Sequence, residues 1–265
     1  MGRNQSRKPE KPKSIATAEF EALMSPLGID GSSPCLAVAV SGGADSMVLA
    51  ALACDWVKAR DGTLTALIVD HGLRPESGDE AGCVRKWLGD QRISAEILEW
   101  RGIKPETGVQ AAARAARYRL LTEWCAGQDI VDLLLAHHRD DQAETFLLRL
   151  GRGSGIDGLA CMAPVSASPV AEPSGVRLLR PLLPVQKSRL IATAESLNIP
   201  WVEDPSNRDT AFARVRVRDA LTGLAEEGLP SQPEPEVQAQ ISVQGYVALY
   251  RHLSGMTGTA MTEAG

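Results

Sequence analysis

The sequence predicts an α/β chain: a doubly wound, mostly parallel five-stranded sheet with helices on both faces. Three observations carry that prediction. Short apolar segments alternate with helical patterns of ten or more residues, the signature of βαβ units. Each apolar segment is bounded by Gly, Pro or Asp and is too short to be a buried helix. Polar residues able to do chemistry gather where those segments end, and the carboxyl ends of strands are where such folds place their sites.

The elements follow in order. Residues 1–13 hold five bases and one acid and read as a disordered arm. Ile15–Leu27 forms a short helix stopped at Pro26-Leu27-Gly28. Strands are expected at Cys35–Val40, Leu64–Asp70, Ala95–Trp100, Val131–Ala136 and Val176–Leu179. Helices are expected between and after them, at Ser46–Arg60, Ser77–Gln91, Val109–Gly127, Asp140–Leu150 and Val185–Leu197. After Arg218 the pattern fails, and only Ile241–Leu253 could make one more helix. Three regions result: an arm with a short helix (1–33), a central α/β domain (34–220) and an acidic tail rich in Pro, Gly and Gln (221–265).

Composition sets the outer bounds. The chain has 265 residues, 44% apolar and 23% charged, which excludes disorder throughout. Its longest apolar run near the N-terminus is six residues, against the ~20 of a membrane helix, so no membrane partner is expected. No apolar stretch follows the basic N-terminus, so no secretory signal is expected either. Five widely spaced cysteines without a C-x-x-C argue against a disulfide framework or zinc ribbon and fit a reducing cytoplasm. The net charge of −5 argues against a nonspecific nucleic-acid coat, although the arm and residues 208–218 are locally basic.

The first strand runs into Ser41-Gly42-Gly43-Ala44-Asp45-Ser46 and then a helix. Two glycines let the backbone approach a ligand and aim successive N–H groups at it. The helix N-terminus adds partial positive charge, and the Ser41 and Ser46 hydroxyls can donate to phosphate oxygens. Asp45 would repel a bare anion, so it makes chemical sense as a ligand of a magnesium ion bridging phosphates. Neither a Walker A loop nor a dinucleotide fingerprint is present.

The fourth strand ends in His137-His138-Arg139-Asp140-Asp141-Gln142-Ala143-Glu144-Thr145. On a helix, Asp140, Asp141 and Glu144 share one side, and crowded carboxylates call for a cation: magnesium or a substrate ammonium group. The histidines could be metal ligands, and His137 could equally be a buried strand-end residue. Arg114 and Arg117 lie one turn apart on an alanine-rich helix and can clamp a phosphate or a phosphoryl transition state. His71, at the end of the second strand, is placed to contact adenine or a reacting hydroxyl, or to cap a turn.

Together these stretches resemble the tRNA(Ile)-lysidine synthetases, members of the PP-loop ATP pyrophosphatases. The match rests on Ser41–Ser46, Val69–Ser77, Ala113–Tyr118 and, above all, Ala136–Thr145 running on to Arg152-Gly153-Ser154-Gly155-Ile156-Asp157-Gly158-Leu159. Arg180-Pro181-Leu182-Leu183 and Glu203–Asn207 are also family-like. The resemblance implies ATP and Mg2+ as cofactors, and free lysine and a tRNA(Ile) with a CAU anticodon as partners. The implied reaction adenylates the wobble cytidine and then joins it to lysine. Ser41, Gly42, Gly43, Ala44, Asp45, Ser46 and His71 would bind ATP, with Asp45 on the metal. Asp45, Arg114, Asp140, Asp141 and Glu144 would be catalytic. His137, Arg117, Arg149, Arg152, Gly153 and Ser154 would face the substrates. The resemblance also admits a homodimer. It fades after about residue 218, where the family continues into tRNA-gripping domains, so a form that binds ATP without turnover stays open. So does another enzyme of the PP-loop class, a tRNA-thiolating or an amide-forming one.

Overall fold

The computed structural model of the chain describes residues 11–29, 31–151, 161–170, 175–202 and 217. The first ten residues, Arg152–Ser154, Glu203–Asn207, residues 208–216 and the tail lie outside the described residues. The chain divides into two compact units, Met1–Asp141 with Met162–Asp204, and Gln142–Cys161 with Pro205–Gly265.

In the first unit, strand β1 (Cys35–Val40) is buried along most of its length, as a strand covered on both faces must be. β2 (Thr63–Asp70) and β3 (Ser94–Glu99) follow on one side, β4 (Asp132–Leu134) and β6 (Arg177–Leu179) on the other, all parallel. β5 (Val165–Ala167) closes the far edge antiparallel to β6, and the order is β3-β2-β1-β4-β6-β5. Among the described residues the sheet therefore has six strands, one more than expected. β5 has only three residues between Pro164 and Pro169, too short for alternation to register and bounded by residues that read as loop.

Side-chain alternation sorts the sheet into two faces. Leu36, Val38 and Val40 of β1 join Leu64, Ala66 and Ile68 of β2 in one core, under helices α1 (Thr17–Met24), α2 (Ala44–Lys58), α3 (Ser77–Asp90) and α6 (Lys187–Ser196). Ala37, Leu67, Leu133 and Leu178 form the opposite core with Tyr118, Leu121 and Cys125 of α4 (Val109–Gly127). Helices thus cover both faces, as the alternating pattern predicts. α5 (Arg139–Gly151) begins in the first unit and passes into the second, where Leu147 packs with Val217.

Two ion pairs tie distant segments. Asp132, 7% exposed on β4, accepts from Arg177 Nε at 2.7 Å and Nη2 at 2.9 Å, and Arg177 also donates to the Gly28 carbonyl. Arg189 of α6 grips Glu19 of α1 at 2.6 and 2.7 Å. No described helix is long and apolar enough to cross a membrane.

Candidate active site

The strand order reverses direction between β1 and β4, so their carboxyl ends open the crevice where such sheets bind ligands. The segment after β1 turns through Gly42, whose φ of +86° lies in the left-handed region. A Cβ there would stand 2.7 Å from Val84 Cγ2, so only glycine fits. The Gly42 carbonyl accepts from Val202 N–H at 2.9 Å.

Ser46 holds the turn from inside. Its hydroxyl accepts from Ser41 N–H at 3.2 Å and donates to the Gly43 carbonyl at 3.0 Å. The proton expected to serve phosphate is thus committed within the loop, while Ser41 remains exposed. α2 starts at Ala44, two residues earlier than the sequence suggests. Its first turn, Ala44, Asp45 and Ser46, presents N–H groups that have no partner within the helix, the usual seat of an anion.

Asp45 sits in that turn and meets the segment that follows β4. Asp45 Oδ2 lies 2.8 Å from Lys187 Nζ and 3.5 Å from His138 Nε2. His138 is buried, with Nδ1 3.4 Å from Asp140 Oδ2 and Nε2 3.6 Å from Asp141 Oδ2. Its backbone N–H donates to Asp141 Oδ2 at 2.9 Å, and Asp140 Oδ2 accepts the Lys187 N–H that opens α6 at 2.7 Å. Three carboxylates and two cations thereby lock the ends of β1 and β4 and the start of α6 into one network.

The electrostatics follow. Burial pushes the His138 imidazole down, but Asp140, Asp45 and Asp141 outweigh it and raise its pKa to about 9. Burial pushes the Asp45 carboxyl up, yet His138 and Lys187 hold it below its ordinary value. Asp140 is lowered by His138 against the opposing effect of burial. Asp45 Oδ1 is buried with no hydrogen-bond partner among the described residues. One orphaned carboxylate oxygen at a helix N-terminus is the hard oxygen donor that a magnesium ion would take. Among the described residues there is no group of three His, Cys, Asp or Glu side chains able to hold a metal by themselves.

The other expected residues separate. Arg114 is exposed, its guanidinium carbon 5.1 Å above the Tyr118 ring centroid, and Arg117 lies 5.4 Å from the same ring. His71 is half-buried; burial and the Arg117 charge lower its pKa and outweigh the pull of Asp70. His137 is half-buried beside the network. Glu144 is buried on α5 and belongs, with the half-buried Arg149, to the second unit.

Three residues of consequence escape a reading of the sequence. His138 shares the parity of Leu134, which faces the core under α2, so continuing the strand alternation would have marked it as the histidine that faces Asp45. Lys187 stands at a helix N-terminus, where a cation opposes the dipole, and that local conflict was the available signal. Arg180, 7% exposed, donates to the Ala163 carbonyl at 2.9 Å and to Ser166 Oγ at 3.0 Å; burial and Arg114 lower its pKa against Tyr118. Only tertiary structure brings its partners together.

The PP-loop domain family pattern matches residues 12–224. The chain belongs to the PP-loop domain family. A PP-loop domain supports the use of ATP. The chain is 48% identical over 216 residues to a tRNA(Ile)-lysidine synthase of Bradyrhizobium sp., covering 81% of this chain and 58% of that protein. A tRNA(Ile)-lysidine synthase of Rhodopseudomonas palustris is 48% identical over 199 residues, 74% of this chain and 56% of the relative. The chain thus spans little more than half the length of these curated relatives. Among solved structures, the U34-tRNA thiolase NcsA from Methanococcus maripaludis superposes with a TM-score of 0.66 at 19% identity, covering 92% of this chain and 84% of that one. That likeness concerns the PP-loop fold alone.

Proposed function

We propose that the protein ligates lysine to the 2-position of the wobble cytidine of a tRNA(Ile) with a CAU anticodon. The path runs through an adenylated tRNA and releases pyrophosphate and then AMP. The observation that carries the reading is the junction of the phosphate loop with the His138–Asp141 segment at Asp45, in a chain nearly half identical to tRNA(Ile)-lysidine synthases.

The loop N–H groups and the α2 N-terminus seat the pyrophosphate portion of ATP. Asp45 Oδ1 would hold magnesium, which would supply neutralisation of that charge. The cytidine 2-oxygen attacks the α-phosphorus, and the bond to pyrophosphate breaks. Arg114 stabilises charge on the transferring phosphoryl group, and Arg117 faces the RNA substrate. The lysine ε-amine then attacks carbon 2, AMP leaves with the oxygen, and the amine proton passes to solvent. The carboxylates of Asp140 and Asp141 in the first unit are anionic groups suited to lysine's ammonium, and Glu144 of the second unit is a separate candidate for it. His138 and Lys187 position Asp45 and Asp140 rather than touch substrate. His71 is the reading for an adenine contact, and His137, Arg149 and Arg152–Ser154 for tRNA. Cytoplasmic placement, a homodimer and the division at 33 and 220 belong to the same reading.

The test is AMP release from labelled ATP with magnesium, lysine and tRNA(Ile) bearing CAU, beside tRNA(Met) bearing the same anticodon. AMP only with the isoleucine tRNA, and lysine recovered in that RNA, is expected; Asp45→Ala should abolish both. AMP release without lysine in the RNA would refute the proposal, as would undiminished turnover by Asp45→Ala.

A further inference from the structure

β2 and β3 run parallel in register to their last residues, Asp70 opposite Glu99. His71 and Trp100 therefore leave adjacent strand ends together, and Trp100 N–H donates to the Asp70 carbonyl at 2.8 Å. Their rings meet edge to face, centroids 6.1 Å apart. The Lys104 ammonium lies 4.1 Å from the Trp100 ring centroid and donates to the Trp100 carbonyl. Arg117 acts on His71 from α4. Ile103, 99% exposed, projects from the same loop.

The charges around this surface are mostly positive. Arg101, Lys104 and Arg117 are set against Asp70, which is occupied by the Gly72 N–H at 2.8 Å, and Glu99, paired with Arg101 at 3.1 Å. The half-buried Trp100 ring, a floor capped on one face by the Lys104 ammonium, suits a ligand with flat bases and anionic linkages, whose phosphate draws the ammonium off the ring as a base takes its place. A neutral adenine ring would need the floor but not the surplus cations.

We propose that Trp100, Lys104 and Arg117, bordered by His71 on the ATP side, form a stacking platform for an unpaired RNA nucleotide next to the one that reacts. The proposal rests on the RNA substrate proposed above. β3 lies two strands from β1, roughly 10 Å at ordinary strand spacing. An RNA whose reacting base lay over the β1–β4 crevice would carry neighbouring nucleotides across the β2–β3 ends. There a base can stack on Trp100 while Lys104 and Arg117 meet phosphates.

The test uses the full chain and a fluorescent anticodon stem–loop RNA with a CAU loop, titrated at several salt concentrations, with ATP affinity measured in parallel. Trp100→Ala should weaken RNA binding about 5- to 100-fold, and Trp100→Phe should restore most of it. Lys104→Gln should flatten the salt dependence by about 0.7 in log–log slope. ATP affinity should be unchanged in all three. Native RNA affinity in both Trp100→Ala and Lys104→Gln would overturn the platform. Loss of ATP rather than RNA binding would assign the surface to adenine and overturn it equally. If Trp100→Ala fails to fold, Trp100→Phe with retained affinity and Lys104→Gln with a reduced slope decide. Lysidine formed by a Trp100→Ala variant of native RNA affinity would remove the platform and leave the proposed function standing. RNA held through Trp100 with no lysidine formed would do the reverse.

Discussion

Gly42→Ala is the perturbation whose cost the loop geometry sets most directly. The added Cβ faces two separate penalties. At φ +86° an L side chain leaves its favoured region, which costs about 1–2 kcal/mol. At 2.7 Å from Val84 Cγ2 the new carbon also sits far inside the ~3.5–4.0 Å optimum for two carbons, and overpacking of that kind costs about 1–3 kcal/mol. The sum, roughly 2–5 kcal/mol, is a large share of the ~5–15 kcal/mol stability of a domain. A double-mutant cycle separates the two parts. Val84→Ala removes Cγ2, so Gly42→Ala should cost less in that background by about 1–3 kcal/mol. The backbone part should persist. Denaturant midpoints for the four proteins, with slopes compared to exclude changes in cooperativity, are the assay. A Gly42→Ala cost below about 0.5 kcal/mol, or the same cost with and without Val84, would refute the reasoning that Gly42 is demanded by backbone conformation and by α3.

Two further outcomes are expected. His138 has its pKa raised to about 9 from an unfolded value near 6.5. Its contribution is fully present below pH ~6.5 and is lost as pH rises through about 9, at most ~3 kcal/mol in size. Stability measured from pH 6 to 10 should fall over that window, and His138→Gln should flatten the fall; an unchanged slope in the variant would refute the assignment. Asp132→Ala removes the carboxylate that the half-buried Arg177 guanidinium pairs with at the β4–β6 pair, and should cost about 1.5–3 kcal/mol, the range for hydrogen bonds to a charged group. A denaturant midpoint equal to that of the unaltered protein would count against it.

Much of the fold was legible because parallel strands buried on both faces must be short, apolar and separated by helices. β1, β2 and α4 follow that rule, and α4 spans the residues expected of it. β5 was not legible, since three residues on an edge carry no periodicity. The site divides the same way. Ser41–Ser46 reads as a phosphate loop because its glycines and the following helix are local facts. That Ser46 is an internal brace is not local in its consequence, because its hydroxyl could equally face outward.

The acid segment shows the difference most sharply. Three carboxylates on one helix side suggest a pocket for a cation. In the fold, Asp140 and Asp141 are already engaged by His138, and Asp140 also opens α6 through Lys187 N–H. Glu144 goes with the other unit.

By itself, then, the sequence determined the alternation of strands and helices, the phosphate loop and the strand ends where chemistry gathers. These depend on interactions within a few residues, and spacing encodes them. Only tertiary structure decided which histidine meets Asp45, that Lys187 completes the network from 142 positions away, and that Trp100 joins His71. Such pairings depend on strand order and on which face each side chain takes, and a linear pattern of apolar and polar residues carries neither.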